Sequence, residues 1–252
     1  MMVAWVNSPT EYVPHPSFTK PVLEGLASLK TTADPQNSVV TTWWDYGYAS
    51  LFFNGLPTFH DGGAQTTPST HFVATAFLDA DQARSIGNLK FLATRGHAGI
   101  AAETSLAGLH QEFSKAVNAP SPDLYLVVTS QMAGWMGSIS QIGNWDIERG
   151  EPVILRGNRN GPLVSYERLN CRLAGYPETL ICSGAAFDLE RGLVNGAPVL
   201  AGWAHSQDGA VVRNRTFNHD GDLALQIIQT GNRINMFLMH RQLFESSFNE
   251  LF

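Results

Sequence analysis

Residues 43 to 48 read Trp-Trp-Asp-Tyr-Gly-Tyr, side chains that can do chemistry together. Two adjacent indoles, Trp43 and Trp44, can build a flat apolar wall, and Asp45 sets one hydrogen-bond acceptor at its edge. That arrangement suits the grip of a small hydroxyl-bearing group. A plainer alternative is that Asp45 caps the helix that follows while both indoles pack inside. Residue types alone leave both open. A helix N-terminus would hold the Asp45 carboxyl ionised and acceptor-only. Gly47, with no β-carbon, would let another stretch of chain come close.

Other candidates are weaker. His60 beside Asp61 has the composition of an acid–base pair but reads as the end of a strand at a turn. Asn218-His219-Asp220-Gly221-Asp222 alternates oxygen-bearing side chains like a calcium loop, yet lacks the Gly and distal Glu at the required spacing, and reads as a polar turn. Gly-x-Ser-x-Gly, His-Glu-x-x-His and Gly-x-Gly-x-x-Gly are all absent, so no catalytic residue and no metal ligand is assigned. Asn214-Arg215-Thr216 is a glycosylation tripeptide and reads as part of a strand. Cys171 and Cys182 form either a disulfide across a hairpin or a pair of buried thiols.

The elements that must position these residues follow from local pattern. A proline at the first position starts a helix over Pro21–Ser28. Asn37–Thr42 is a β-branched buried strand that runs straight into the hexad. Tyr48–Phe53 reads as helix, stopped by Asn54-Gly55. A short strand at Thr58–His60 ends at Asp61-Gly62-Gly63. Asp81 caps a helix to about Thr94, ended by Gly96, and another helix spans Leu106–Val117. Asp123–Val128 reads as strand and 131–142 as a short helix. From Asn144 the texture changes to short β runs between Asn160-Gly161, Asn195-Gly196, Asp208-Gly209 and Asp220-Gly221 turns. The segment from Met236 returns to strand and then helix. The fold class is mixed α/β: an irregular lead-in at 1–20, a helix-rich α/β core at 21–144 plus 236–252, and a β-rich insertion at 145–235.

With 252 residues the chain can bury a full core, and its net charge of −6 comes without a basic cluster, which points away from nucleic acid. No apolar run reaches the ~18–20 residues of a membrane span, and the N-terminus lacks the pattern of a signal peptide.

Trp43-Trp44-Asp45-Tyr46-Gly47 resembles the signature of the catalytic subunit of asparagine-linked oligosaccharyltransferases, with the preceding strand and Asp61-Gly62-Gly63 similar to that family's extracytoplasmic domain. Tyr125 to Ile139 resembles the second motif of bacterial members, Met-x-x-Ile-x-x-x-(Ile/Val/Trp): Met132 and Ile139 match, and Trp135 replaces the usual Ile. The register starting at Met136 also gives Met-x-x-Ile, but places Gly143 last and is less favoured. Met236 to Phe252 is similar to the end of a bacterial member.

The resemblance implies a sequon-reading domain. Asp45 would accept the hydroxyl proton of Asn-x-Ser/Thr, Trp43 and Trp44 would supply N–H donors and walls, Tyr46 and Gly47 would complete the site, and Met132, Trp135 and Ile139 would lie against the Thr methyl. A hydrogen bond to a charged group contributes roughly 1.5–3 kcal/mol and one buried methyl about 0.8. The whole enzyme would transfer a glycan from a polyprenyl-diphosphate-linked oligosaccharide to Asn of an acceptor polypeptide. A divalent cation (Mg or Mn) would be held by a transmembrane part outside this chain, so the domain is expected to be inactive alone and to face the periplasm. A stand-alone periplasmic module for peptide or carbohydrate is the rival.

Overall fold

The run Ser38–Thr41, two valines between two small hydroxyl residues, forms β1 and is buried along its whole length, as a strand covered on both faces must be. In the computed structural model, which describes residues 17–153, 165–173, 179–218 and 220–251, it pairs in parallel with β2 (Asp123–Leu126), Ser38 opposite Asp123 and Thr41 opposite Leu126. The Val127 amide still donates to the Thr41 carbonyl at 2.9 Å. The lead-in up to residue 16, the Asn160-Gly161 turn and His219 lie outside the described residues.

The short strand expected over Thr58–His60 does not form. Thr58 makes one bridge to Val40, and the chain then curls because the Asp61 carboxylate takes the amides of Gly63 and Ala64 at 2.9 and 3.0 Å. Helix α1 (Lys20–Thr32), with proline in its first turn, runs beyond the expected end at Ser28. A 3-10 turn, Trp44–Tyr46, leads into α2 (Gly47–Asn54), which stops at Gly55 in the left-handed conformation, φ 75°.

Helix α3 (Pro68–Leu78) is not legible in the sequence: Phe72, Val73, Ala74, Ala76, Phe77 and Leu78 are all buried, so no polar face marks a helical period. Helix α4 (Gln82–Ala102) starts where expected, with Asp81 accepting from the amides of Ala83 and Arg84. It does not end at Gly96. That residue leaves helical geometry at φ 57°, ψ −156°, and the chain resumes helix beyond the kink. Helices α5 (Leu106–Ala116) and α6 (Ser130–Gly143) complete this side. Phe113 stands edge-on to both Phe72 and Phe91, at 5.3 and 5.0 Å between ring centres, and locks α3, α4 and α5 together.

The rest is β-rich. A hairpin of β3 (Trp145–Asp146) and β4 (Glu151–Pro152) follows α6. One five-stranded sheet runs β10-β9-β8-β7-β6, from β6 (Cys171–Leu173), β7 (Thr179–Cys182), β8 (Ala185–Asp188), β9 (Leu193–Val194) and β10 (Ala197–Pro198). The other runs β12-β11-β13-β14-β5, from β5 (Glu167–Leu169), β11 (Leu200–Gln207), β12 (Ala210–Thr216), β13 (Leu223–Thr230) and β14 (Arg233–His240). Asn195-Gly196 and Asp208-Gly209 both turn with positive φ, as two-residue hairpins require. Cys171 and Cys182 face each other across β6 and β7 and are joined as a disulfide. The expected boundary at 235/236 falls inside β14, so the β-rich unit and the closing segment share a strand; α7 (Arg241–Phe244) and α8 (Ser247–Leu251) then return to the helical side. Mixed helices and sheets are the fold class expected.

Candidate functional site

The hexad occupies the passage from β1 into α2. Trp43 is buried at 3% exposure, its ring 5.3 Å from His60 and 6.4 Å from Phe77. Trp44 and Asp45 are partly exposed, Tyr46 and Gly47 are buried. The two indoles therefore do different things: one anchors the turn in the core and the other reaches solvent.

Asp45 caps no helix. Tyr46 is the N-cap residue of α2, without a side-chain cap, and Asp45 sits inside the 3-10 turn. Its own backbone N–H bonds to the carboxylate, yet burial outweighs that bond and holds the carboxyl above the usual aspartate range. The expectation that a helix terminus would dominate is thus corrected: desolvation does. Among the described residues no other side chain hydrogen-bonds to this carboxylate. What remains is a half-buried acceptor with free lone pairs beside an accessible indole.

Two contacts fix the turn. A β-carbon added at Gly47 would lie 2.5 Å from Cα of Asp61 and 2.7 Å from the His60 carbonyl, so only glycine admits this approach. The Tyr46 hydroxyl donates to Gln131 Oε1 at 2.9 Å and shares a hydrogen bond of 2.8 Å with Thr129 Oγ1. Thr129 in turn caps α6 by accepting from the Met132 amide. The first motif is thereby tied to the start of the second.

Along α6, Met132 and Ile139 have no exposure at all, and Met132 Sδ accepts a long contact from the Thr42 hydroxyl at 3.9 Å. Trp135 is partly exposed, with its ring 5.7 Å from that of Tyr46. The structure thus brings Trp135 against Tyr46, which Trp44 and Asp45 directly precede, and buries Met132 and Ile139 in the core cluster that holds Trp43 and Tyr46. His60 is a structural bolt rather than an acid–base group: Nδ1 meets the Thr42 carbonyl at 3.0 Å and Nε2 the Thr70 hydroxyl at 3.1 Å. Sequence reasoning missed the roles of Thr129 and Gln131, though a Thr directly before a helical run is an N-cap signal. Among the described residues no cluster of three or more His, Cys, Asp or Glu could hold a metal ion, so the residues present do not fit the divalent cation that the resemblance implies. Nor, among them, is any helix long and apolar enough to cross a membrane.

Residues 36–97 match the family model described as the STT3/PglB/AglB core domain. Over that stretch the chain is similar to STT3/PglB/AglB core domains. The matched region takes in β1, the hexad, the Asp61 turn, α3 and much of α4. Over 81 residues the chain is 37% identical to a dolichyl-phosphooligosaccharide-protein glycotransferase of Methanocaldococcus jannaschii, and over 65 residues 35% identical to one of Methanococcus voltae. These matches cover 32% and 26% of the chain but only 9% and 7% of the two relatives. In fold, the crystal structure of the C. jejuni PglB C-terminal domain superposes with a TM-score of 0.58 at 16% identity, over 92% of this chain and 90% of that one. The resemblance drawn from the hexad is borne out over residues 36–97, and the expected mixed fold is that of the C. jejuni domain.

Proposed function

We propose that this chain is the acceptor-reading domain of an oligosaccharyltransferase, recognising Asn-x-Ser/Thr for transfer of a glycan from a polyprenyl-diphosphate carrier to Asn. One observation carries the proposal: the Asp45 carboxylate is partly desolvated, unpartnered by any other described side chain, and fixed beside the accessible Trp44. Such an acceptor favours a ligand O–H over water, and the neighbouring indoles hold the ligand's chain against it. The Thr methyl rests on the partly exposed Trp135. Met132 and Ile139 act from below, by fixing α6 and hence that ring. Trp43 acts as the anchor of the turn.

The apolar side chains Tyr48, Leu51 and Phe52 on α2, 59%, 50% and 81% exposed, adjoin the hexad in sequence and favour further contact there, with peptide or with a membrane-embedded part of the enzyme. In this proposal that part holds the Mg or Mn ion and the lipid-linked donor. The present domain faces the extracytoplasmic side, binds, and does not transfer alone. In this reading the helix-rich part from 21 to 144, together with the closing helices α7 and α8, carries the site, and the β-rich part from 145 ends with β14.

In the full-length enzyme, Asp45→Ala is expected to cut glycosylation of a sequon peptide heavily while the domain stays folded by circular dichroism. Full activity in that variant would sink the proposal and leave the stand-alone peptide or carbohydrate module in front.

A further inference from the structure

The strand β12 ends in Asn214-Arg215-Thr216, the one Asn-x-Ser/Thr tripeptide in the 252-residue sequence. Every residue of this strand is exposed. Among the described residues it pairs only with β11, so its outer edge is open. The ladder to β11 also slips between His205 and Ser206, leaving Val212 between their partners Arg213 and Val211. An edge held this weakly opens locally at low cost. Asn214 pairs with Ala204 and Thr216 with Gly202, so the two project from the same side of the sheet. Among the described residues no hydrogen bond holds the Asn214 amide. On that side lies a cleft of about 660 Å³, whose wall includes Ser206, Gln226 and Asn249 along with Asn214 and Thr216. Gln226 is 8% exposed and donates to Ser206 Oγ at 3.2 Å, so the floor beside Asn214 is polar and fixed. A sugar on Asn214 therefore finds room and polar neighbours without any change in the fold.

The compartment fits as well. The Cys171–Cys182 disulfide belongs to an oxidising environment, and exposed Asn-x-Ser/Thr tripeptides are glycan acceptors in proteins that face such environments. We infer that Asn214 is itself an acceptor, so that this chain carries an N-linked glycan on the edge of its β-rich part. The inference takes its donor and catalyst from the proposed oligosaccharyltransferase function; the acceptor is read from β12 alone. Asn214 Nδ2 bonds to the anomeric carbon of a polyprenyl-diphosphate-linked saccharide. The bond from that carbon to the diphosphate oxygen breaks, its electron pair leaves with the diphosphate, and one amide proton passes to solvent. The glycan is bulky and solubilising, and it stands beside Val211, 60% exposed, on an edge where another chain could otherwise add a strand.

The test takes the full-length protein from membranes of source cells that glycosylate a co-produced Asn-x-Thr reporter. Chymotrypsin, which cleaves after aromatic residues, releases residues 204–217 as one peptide, and mass spectrometry reads it. This peptide is expected to carry the same mass increment as the reporter. Asn214→Gln and Thr216→Ala should abolish the increment, and Thr216→Ser should keep it. Both positions are exposed, so the variants should fold, and an unchanged circular dichroism spectrum checks them. A bare peptide from those cells would overturn the inference, as would an increment that survives Thr216→Ala. An Asp45→Ala enzyme that still modifies both the reporter and Asn214 would sink the Asp45 reading and uphold Asn214 as an acceptor, so the two claims fail separately.

Discussion

Gly47 and Asp61 are in backbone contact, with 2.5 Å between Cα of Asp61 and the place a β-carbon on Gly47 would occupy. The glycine of the hexad is therefore set by a neighbouring turn that belongs to the same site. Gly47→Ala must push that turn away, and overpacking of this kind costs about 1–3 kcal/mol. Urea unfolding should show that loss, and sequon-peptide binding should weaken because Asp45 moves with the turn. A midpoint within error of the parent's would contradict the contact.

The Tyr46 hydroxyl joins the hexad to Thr129 and Gln131. Tyr46→Phe removes both hydrogen bonds and should cost about 1–3 kcal/mol in denaturant unfolding. It should also speed hydrogen exchange at the Met132 amide, whose cap loosens. Protection equal to the parent's would show that Thr129 caps α6 without help.

His60 makes the protein acid-sensitive. Burial lowers its pKa from 6.5 to about 4. Between those values the unfolded chain takes up a proton and the folded one does not, so stability falls as pH drops from 6.5 towards 4. Over that window this residue accounts for up to about 3 kcal/mol. His60→Gln, though less stable at pH 7, should lose less between pH 7 and 4.5, as read from urea midpoints. An equal loss in parent and variant would assign the acid sensitivity elsewhere.

The Cys171–Cys182 bridge spans eleven positions and staples β6 to β7. Replacing both with Ser should cost about 2–4 kcal/mol in the unfolding of the β-rich unit. The hexad should keep its peptide response, because both cysteines pack with a core cluster that contains none of the hexad residues. Loss of that response would show that the sheets support the site directly.

Much of this was readable in the sequence, for local reasons. Asp81 and Gly55 mark helix ends by side-chain oxygen and by φ, and the Asn-Gly and Asp-Gly turns mark hairpins. Helix α3 was hidden because a helix buried on nearly all sides has no period to read. Met132 and Ile139 look like a contact surface in one dimension, yet α6 turns both inward, and only packing decides that. The state of Asp45 was likewise out of reach, since desolvation and its own backbone hydrogen bond push its pKa in opposite directions and only the folded chain sets their balance.

Hydroxyl recognition by Asp45 is the central claim, and a peptide pair tests it most directly. The folded chain is titrated with matched Asn-x-Thr and Asn-x-Ala peptides while indole signals are followed by NMR, with Trp44 assigned. The Thr peptide should shift Trp44 and bind about ten- to a hundredfold more tightly than the Ala peptide, since it alone donates to a charged acceptor. The margin should shrink on acidification, and earlier than for an ordinary aspartate, because Asp45 protonates above the usual range. An equal response to the two peptides would contradict the account.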